Sequence, residues 1–517
     1  MSTREPVVNF ELDGRPVSVS GLVSLLAALR DQLGVRSAKD GCAPQGQCGC
    51  CTVWVDGEPR VSCVTPVSRV SGRRVTTIDG LGPTVRDEWA RAFCATGGSQ
   101  CGFCTPGIVM RLAAERHRSD DRADIASSLT AHLCRCTGWQ TVIDAATAVA
   151  TGVTITDDRD FDAASRRATI EGRSTQVVSP RVALGEGGFA DDAAPDDAWV
   201  AVLAPDDSWS VARTVTEARA VAGVVPGRRS TLGVVWPIDP PVGDFVRTLS
   251  TTWVEPAYLE PDAVWCRPGG EPFGPTENGG AFGSKCQWLR DAARRLADEN
   301  QRPVRVVLSR EDVVRRGAKR PVLAAGVRAD GSGVIVMRRT EGAADLVRAV
   351  APDWELREVD LLGPPTTLDR RGAVWAEIAV LRSSVSEAAW DHVISPDGAE
   401  AWARMDDDAI RVKVRCGQVL DRTVLRSYCV GAAHMALGWV RSEGVAVDES
   451  GAVHDLTIRS FGVVRASDTP LIEVEILDDD TEPINGSDAV FAAVAAAVWR
   501  FDEWPARWPK ERDLGDR

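Results

Sequence analysis

The residues of this chain that are best suited to chemistry are its cysteines. Ten of the 14 cysteines precede residue 137, where they form two tight groups, and the whole chain has only five histidines. Thiolates are the preferred ligands of iron–sulfur clusters and of several soft metals. Disulfide frameworks also use closely spaced cysteines, but they are typical of small secreted proteins, and no secretion signal accompanies these groups. The cysteines therefore predict metal binding.

The first group lies in the segment GCAPQGQCGCCTVWVDGEPRVSC. Its spacing, C-x5-C-x2-C with a distant fourth cysteine, is one residue longer than the plant-type [2Fe–2S] loop. Gly41, Gly46 and Gly49 would allow positive φ and bring backbone N–H groups towards the sulfurs. Cys50 lies between two predicted ligands, and we interpret it as a small buried side chain. The predicted ligands of this cluster are Cys42, Cys48, Cys51 and Cys63.

The second group combines the segments QCGFCTPG and LCRCTGW. The Thr-Pro pair that follows Cys104 is typical of a helix start. Cys134 and Cys136 would point about 200° apart on a regular helix, so we expect them in a turn. A structural zinc is the alternative occupant of a four-cysteine site, but the preceding ferredoxin-like loop favours a second iron–sulfur cluster. The predicted ligands are Cys101, Cys104, Cys134 and Cys136.

Local patterns predict the elements that position these cysteines. VVNFELDGRPVSVS reads as a hairpin with an Asp-Gly turn, GLVSLLAALRDQLG as an amphipathic helix, and CTVWVDGEPRVSC as a second hairpin that carries Cys63. Together they indicate a β-grasp ferredoxin arrangement. PGIVMRLAAERHR and TVIDAATAVATG predict helices that follow the two halves of the second cysteine group.

Composition narrows the class of protein. With 517 residues and 44% apolar composition, the chain can form several cores. Its net charge of −14 argues against a nucleic-acid partner, because phosphate binding requires clustered Lys and Arg. No apolar run is long enough to cross a bilayer, so we expect a cytoplasmic protein without a membrane partner.

The motifs GCAPQGQCGCCTV, QCGFCTPGIVM and LCRCTGW resemble those of the iron–sulfur subunit of the xanthine dehydrogenase (molybdenum hydroxylase) family. The resemblance implies a β-grasp domain at residues 1–82 and a helical domain at 83–152, each with one [2Fe–2S] cluster. It also implies that the second cluster lies beside the molybdopterin of a catalytic partner chain, and that the first faces an FAD-binding partner chain. Gln100 and Cys136 match positions that approach the pterin.

The remaining chain resembles the same family in part. Residues 153–188 are polar and aperiodic, which predicts a linker. Residues 189–517 resemble a shortened molybdenum-binding subunit, with VEPAYLEPDAVW and GGAFGSK in the family's order. The resemblance implies pterin-side contacts at four positions of the GGAFGSK loop, namely Gly279, Gly280, Phe282 and Gly283.

Departures from the family argue against catalysis by this second half. The segment between WDHVISPDGAEAW and IRVKVRC lacks the loops that bind pterin in relatives. Where relatives place a glutamate as general base after a glycine, Gly486 is followed by Ser487, whose hydroxyl cannot accept a proton near neutral pH. We expect the next residue, Asp488, to act as the N-cap of a helix.

The sequence therefore predicts an α+β multidomain protein that acts as the electron-transfer subunit of a hetero-oligomeric oxidoreductase. Its two [2Fe–2S] clusters would connect a molybdopterin site on a partner with a flavin or another acceptor, and its second half would be a non-catalytic docking domain. Two alternatives stay open. The second half could hold a ligand or molybdopterin and perform its own redox chemistry, or the protein could be a non-enzymatic scaffold with structural clusters.

Overall fold

The computed structural model describes residues 6–115, 120–153, 159–223, 232–277, 280–407 and 409–510. Over these residues the chain is a mixed α+β protein with four β-sheets. None of the described helices is both long and apolar enough to cross a membrane. The domain boundaries predicted at residues 82, 152 and 188 stay predictions.

The first sheet forms from two hairpins, as their Asp-Gly turns predict. Strands β1 and β2 pair antiparallel, as do β3 and β4, while β1 runs parallel to β5, giving the order β2-β1-β5-β3-β4. Alternate residues of β1 are buried, so one face of the sheet packs on the core. The elements of this part are β1 Val7–Leu12, β2 Arg15–Ser20, α1 Leu25–Ala27 with a π-helical turn Ala28–Gln32, β3 Thr52–Val55, β4 Glu58–Val61 and β5 Arg74–Thr76.

Four helices follow the first sheet and surround the second cysteine group. They are α2 Pro83–Thr96, α3 Thr105–Glu115, α4 Arg122–Ser128 and α5 Gln140–Thr151. Their core contains the fully buried rings of Trp89, Phe93 and Trp139. The same hydrophobic core continues into the second half of the chain through Trp253 and Ile458, so the two halves pack against each other.

The described part of the segment predicted as an aperiodic linker contains two helices. It contains α6 Phe161–Gly172 and α7 Pro180–Ala183, and α8 Ala190–Ala193 follows. Helix α6 buries Ala164, Arg167, Ala168 and Glu171 on one face, and Arg167 and Glu171 form an ion pair inside the protein. These positions are three and four residues apart, which is the helical period. Because two of them are charged, the sequence pattern did not indicate a buried helix face.

Where the structure describes the second half, it contains three sheets, with strand orders β7-β6-β10-β9, β13-β12-β11-β8-β18 and β14-β15-β16-β17. The strands are β6 Trp199–Leu203, β7 Trp209–Ala212, β8 Arg247–Thr251, β9 Ala263–Cys266, β10 Val304–Val307, β11 Leu323–Val327, β12 Gly333–Arg338, β13 Trp354–Val359, β14 Asp391–Ile394, β15 Glu400–Met405, β16 Ala409–Arg415, β17 Leu471–Leu477 and β18 Arg507–Trp508.

Among the described residues of the second half, seven further helices accompany these sheets. They are α9 Val215–Ala222, α10 Leu289–Asn300, α11 Arg310–Arg316, α12 Ala343–Val350, α13 Trp375–Ser383, α14 Arg422–Arg441 and α15 Ser487–Phe501. Helices α14 and α15 are buried along most of their length and pack together, with the rings of Trp439 and Phe491 stacked 5.1 Å apart. Burial on all sides explains why their sequences lack a clear polar face.

Candidate iron–sulfur sites

The first cysteine group lies in the loop before β3 and in the turn after β4. All four predicted ligands are buried. The backbone N–H groups of Gln47 and Cys48 donate to Cys42 Sγ at 3.4 and 3.3 Å, and the N–H of Cys63 donates to Cys51 Sγ at 3.4 Å. Hydrogen bonds from the thiols of Cys48 and Cys63 hold the pKa of Cys42 well below its usual range. The loop therefore brings these sulfurs together and supplies the N–H donors that a cluster requires.

The loop glycines serve two different purposes. Gly46 and Gly49 adopt positive φ angles of 68° and 73°, as predicted. Gly41 does not adopt a positive φ. A Cβ atom there would lie 3.0 Å from Cys48 Sγ and 3.1 Å from the Leu259 carbonyl oxygen, so it allows close approach of another part of the chain.

The second cysteine group forms where two segments meet before helices. Cys101 and Cys104 precede α3, and the other two lie in the turn before α5, as their spacing predicts. Cys101 Sγ lies 3.8 Å from Cys136 Sγ, and Cys134 Sγ lies 3.1 Å from Thr137 Oγ1. Hydrogen bonds from the thiols of Cys104 and Cys136 hold the pKa of Cys134 well below its usual range.

The two cysteine groups are adjacent. The backbone N–H of Leu133 donates to the Cys48 carbonyl at 3.0 Å, so one hydrogen bond joins the residue before Cys134 to the first group. Cys50 is buried, and its Sγ lies 3.9 Å from the Cys48 carbonyl oxygen. Burial is the largest cause of the raised pKa of Cys50, and charge on Cys42 and Cys134, one from each group, raises it further. Cys50 therefore lies close to both groups.

In the part of the chain that the structure describes, no three His, Cys, Asp or Glu side chains are arranged to hold a metal ion as they stand. We therefore assign the clusters from the sulfur contacts, the N–H donors and the relatives reported below. The eight ligands stay predictions, and their chemistry fits two four-thiolate clusters better than any mixed His–Cys site.

Two of the predicted pterin-side residues, Gln100 and Gly280, lie against Cys136. The Gln100 Nε2 atom donates to the Cys136 carbonyl at 3.1 Å and to Ser427 Oγ at 3.0 Å. Gly280 has a φ of 78°, and a Cβ atom there would lie 3.5 Å from Cys136 Sγ. The ring of Phe282 lies 3.7 Å from the guanidinium of Arg371. Gly283 packs against Asp369, away from Cys136, and Gly279 lies outside the described residues.

The described residues around Cys136 leave little space for a molybdopterin as they stand. The cavity beside Cys136 has a volume of about 10 Å³. That is room for one water molecule, whereas pockets for cofactors start near ~300 Å³. Gly172 and Gln176, which end and follow α6, line this cavity together with Tyr428. The segment expected to be a surface linker therefore fills the space beside the second cysteine group.

The start of α15 contains a buried charge network instead of a free general base. Ser487 Oγ accepts a hydrogen bond from Arg371 Nη2 at 2.9 Å, and Asp488 forms ion pairs with Arg371 and Arg173. The backbone N–H groups of Gly486 and Ser487 donate to the carboxylate of Glu171 at 3.1 and 2.9 Å. Glu171 was not predicted. Its spacing of four residues from Arg167 was the signal available in the sequence.

The prediction that Asp488 is the N-cap of this helix is wrong. Helix α15 begins at Ser487 with Gly486 as the N-cap residue, and Asp488 lies in the first turn. The N–H of Asp488 donates to Asn485 Oδ1 at 3.0 Å. The two arginines hold the Asp488 carboxylate away from the N-cap position, and Glu171 binds the free N–H groups in its place.

Comparison with known proteins identifies the family. Residues 77–147 match the [2Fe-2S] binding domain family. The chain is 37% identical over 141 residues to the alpha subunit of isoquinoline 1-oxidoreductase from Brevundimonas diminuta, which is 26% of this chain and 92% of that subunit. It is 36% identical over 137 residues to a nicotinate dehydrogenase subunit from Pseudomonas putida, which is 26% of this chain and 87% of that subunit. The chain belongs to the xanthine dehydrogenase (molybdenum hydroxylase) family.

The two relatives match only about a quarter of this molybdenum hydroxylase family member. Solved structures resemble it over most of its length. The aldehyde oxidoreductase from Desulfovibrio gigas superimposes with a TM-score of 0.68, covering 98% of this chain and 99% of that one. Sequence identity over the superposition is 13%, so the likeness concerns the fold alone. The second half of the chain therefore shares its fold with that aldehyde oxidoreductase.

Proposed function

We propose that this chain is an electron-transfer protein of a molybdenum-hydroxylase-type oxidoreductase that relays electrons through two [2Fe–2S] clusters. The clusters would supply one-electron transfer, with the first held by the cysteines at 42, 48, 51 and 63 and the second by those at 101, 104, 134 and 136. The observation that supports this proposal most directly is the adjacency of the two buried groups through the Leu133 N–H to Cys48 carbonyl hydrogen bond. Adjacent burial shortens the distance between centres and excludes water from both.

In this function the polypeptide holds the sulfurs in place and determines their hydrogen bonds and their exposure to solvent. N–H donors to Cys42 and Cys51 stabilise negative charge on the first group, and Thr137 Oγ1 does so for Cys134. Hydrogen bonds to sulfur and exclusion of solvent are the main means by which a protein tunes a cluster's potential. The side chain of Cys50 is buried close to both groups.

We infer that the second half covers the second cluster and does no chemistry of its own. Arg135 is paired with Glu443, Gln100 with Ser427 and the Trp139 indole N–H with the Val464 carbonyl, so three residues around this group bond to the second half. The small cavity beside Cys136 and the hydrogen bond from Arg371 to the Ser487 hydroxyl argue against substrate turnover there.

The redox partners in this proposal are separate subunits, one that binds molybdenum and one that binds FAD. Two relatives are themselves named as subunits, one of isoquinoline 1-oxidoreductase and one of nicotinate dehydrogenase. Their names support a hetero-oligomer. We propose that a donor approaches the second cluster over Gln176 and Glu277. Both residues line the small cavity beside Cys136 and are partly exposed to solvent.

The test is metal analysis combined with EPR on the chain purified without oxygen. We expect about four iron atoms per chain, no stoichiometric molybdenum, and two distinct signals after reduction, because each [2Fe–2S] cluster contributes one unpaired electron when reduced. One molybdenum per chain would contradict the proposal and favour a catalytic second half. Zinc in place of iron at one site would reduce the relay to a single cluster.

A further inference from the structure

The 3₁₀ turn Ile458–Phe461 of the second half is bonded to the loop of the first cysteine group. Gln45 Oε1 accepts a hydrogen bond from the N–H of Ile458 at 3.1 Å, and Gln47 Oε1 accepts one from the N–H of Arg459 at 3.1 Å. Both glutamines lie between the first two predicted ligands of the first cluster. The second half therefore contacts the first cysteine group as well as the second.

The Arg459 side chain donates to two carbonyl oxygens. Its Nε atom donates to the Gln47 carbonyl at 3.2 Å, and its Nη2 atom donates to the Thr130 carbonyl at 2.7 Å. Among the described residues, no carboxylate forms an ion pair with it. Burial is the main cause that lowers the pKa of Arg459, and negative charge on Cys42 and Cys48 opposes that shift. The guanidinium therefore lies close enough to interact with charge on these two sulfurs.

One peptide group connects Arg459 to a predicted cluster ligand. The peptide between Gln47 and Cys48 accepts from Arg459 through its carbonyl oxygen. The N–H of the same peptide donates to Cys42 Sγ at 3.3 Å. Hydrogen bonds in series polarise one another, so a positive charge on the carbonyl side strengthens the N–H···S bond. Such bonds to sulfur stabilise the more negative, reduced form of a cluster.

Arg310 makes a similar contact at the start of the same loop. It is 1% exposed, and its Nε and Nη2 atoms donate to the Gly41 carbonyl at 3.2 and 3.0 Å. Gly41 lies against the cluster site, because a Cβ atom there would lie 3.0 Å from Cys48 Sγ. In the part of the chain that the structure describes, Arg310 has no ion pair with a carboxylate, and its Nη1 atom has no hydrogen-bond partner. Its charge is therefore buried without a bonded counter-charge.

Among the described residues, two carboxylates also bond to this loop. Asp40 Oδ1 accepts from the Ala43 N–H at 2.9 Å, but Arg219 lies 3.5 Å from the same carboxylate. Glu311 accepts from Gln45 Nε2 at 2.7 Å, and burial is the main cause that raises the pKa of Glu311, which shifts it towards its neutral form. Positive charge therefore exceeds negative charge at this loop.

We propose that Arg310 and Arg459 are positioning residues that raise the reduction potential of the first cluster. Reduction adds one negative charge to a four-thiolate cluster, so positive charges fixed beside a buried site stabilise the reduced form. In the second cysteine group, by contrast, the charge of Arg135 is neutralised by Glu443. The favoured step is transfer of one electron from the second cluster, which is oxidised, to the first, which is reduced, and no bond is formed or broken. This inference rests on the proposed relay and gives the second half a part in it.

The test is a redox titration of the full-length protein followed by EPR. The two signals are assigned with Cys104→Ser, which should keep only the first cluster. In Arg459→Gln we expect the ratio of reduced to oxidised first cluster at a fixed potential to fall about 10-fold, which is about 59 mV for a one-electron couple. The second cluster in the same sample is the reference and should keep its potential. An unchanged potential of the first cluster would overturn the proposal.

Two further variants separate charge from structure. Arg459→Lys keeps the positive charge but loses the guanidinium fork, so its first cluster should stay close to the wild-type potential. Arg465→Gln removes an equal charge from an exposed side chain, which water and salt screen, and should leave the potential unchanged. If Arg459→Lys shifts the potential as far as Arg459→Gln does, the arginine only holds the loop and the proposal is wrong. An equal shift in Arg465→Gln would contradict it too, because net charge alone would then explain the effect.

Arg310→Gln should lower the potential of the first cluster in the same direction. If this variant loses iron, the comparison of the two Arg459 variants decides. Absence of two EPR signals in the wild-type protein would refute the proposed relay itself, before any variant is titrated. Two signals whose potentials do not respond to Arg459→Gln would refute only the role of the arginines.

Discussion

Arg135, which stands between Cys134 and Cys136, donates through both terminal nitrogens to the carboxylate of Glu443, and both side chains are buried. The two residues are 308 positions apart in the sequence. Arg135 Nε also donates to the Pro256 carbonyl at 3.0 Å. The turn that holds half of the second cysteine group is therefore bonded directly to the second half of the protein.

Breaking this pair should destabilise the protein strongly. In Glu443→Gln the Arg135 charge stays buried without a counter-charge, and removal of one partner of a buried pair costs about 3–5 kcal/mol. Urea unfolding, followed by the visible absorption of the clusters and by circular dichroism, measures the loss. Arg122→Gln is the control, because Arg122 pairs with Asp144 at 2.8 Å on the surface. That variant should lose less than ~1 kcal/mol. Similar losses in both variants would show that Arg135 is not held by Glu443.

Ligand substitutions should separate the two clusters. We expect Cys104→Ser to abolish one EPR signal and leave the other, since a [2Fe–2S] cluster needs four ligands and the groups are distinct. Cys50→Ala should keep both signals and the full iron content, because Cys50 is buried near both groups without belonging to either. Loss of a signal in Cys50→Ala would reassign Cys50 as a ligand.

Restoring a glutamate at the position of the missing base should not restore catalysis. Ser487 is fully buried, and its N–H is bound to the Glu171 carboxylate at 2.9 Å. Ser487→Glu would place a larger, negatively charged side chain beside Glu171, which should cost a few kcal/mol, roughly 2–4, through overpacking and repulsion. Chemical unfolding measures the cost, and assays of aldehyde and N-heterocycle hydroxylation should detect no turnover.

Ser487→Ala is the companion variant. It removes the hydrogen bond from Arg371 Nη2 and the 3.5 Å hydrogen bond that Ser487 Oγ donates to Asn485 Oδ1, and it should cost about 2 kcal/mol. Measurable hydroxylation by Ser487→Glu would show that the second half retains a working pocket, against the proposed docking role.

Acid should destabilise the protein through His434. Burial is the main cause that lowers the pKa of His434 from 6.5 to about 4, and its Nε2 lies 3.1 Å from the Val464 carbonyl oxygen. Between these two pKa values the unfolded chain binds a proton that the folded protein excludes. The free energy of unfolding therefore falls as pH drops from 6.5 towards 4, by up to about 3 kcal/mol from this residue.

Urea unfolding at several pH values measures this slope. His434→Gln should make the slope shallower, because the amide can still donate to Val464 and does not titrate in this range, while burial also lowers the pKa of His132 to about 4 and that residue keeps its own share of the slope. The solvent-exposed His392 supplies the control, and His392→Gln should leave the slope as in the wild-type protein. An unchanged slope in His434→Gln would show that His434 is protonated in the fold.

The local sequence predicted the cysteine groups, the two hairpins of the first sheet and the helices α3 and α5. Each depends on residues close together in the chain, such as the Asp-Gly turns and the Thr-Pro pair after Cys104. The same patterns failed for α6, because its buried face contains Arg167 and Glu171, which read as surface residues until their partners are known. They failed for Asp488 as well, since two arginines from elsewhere, Arg371 and Arg173, set its position.

By itself, the sequence determined the family and indicated cysteine thiolates as the metal ligands. Cysteine spacing is a local property, so it can be read directly from the sequence. The tertiary structure decided which other parts of the chain surround the two cysteine groups. It placed the end of α6 in the space beside Cys136, paired Arg135 with Glu443, and left a cavity of about 400 Å³ beside Cys42. These features join residues that lie tens to hundreds of positions apart in the sequence, and only tertiary packing brings them together.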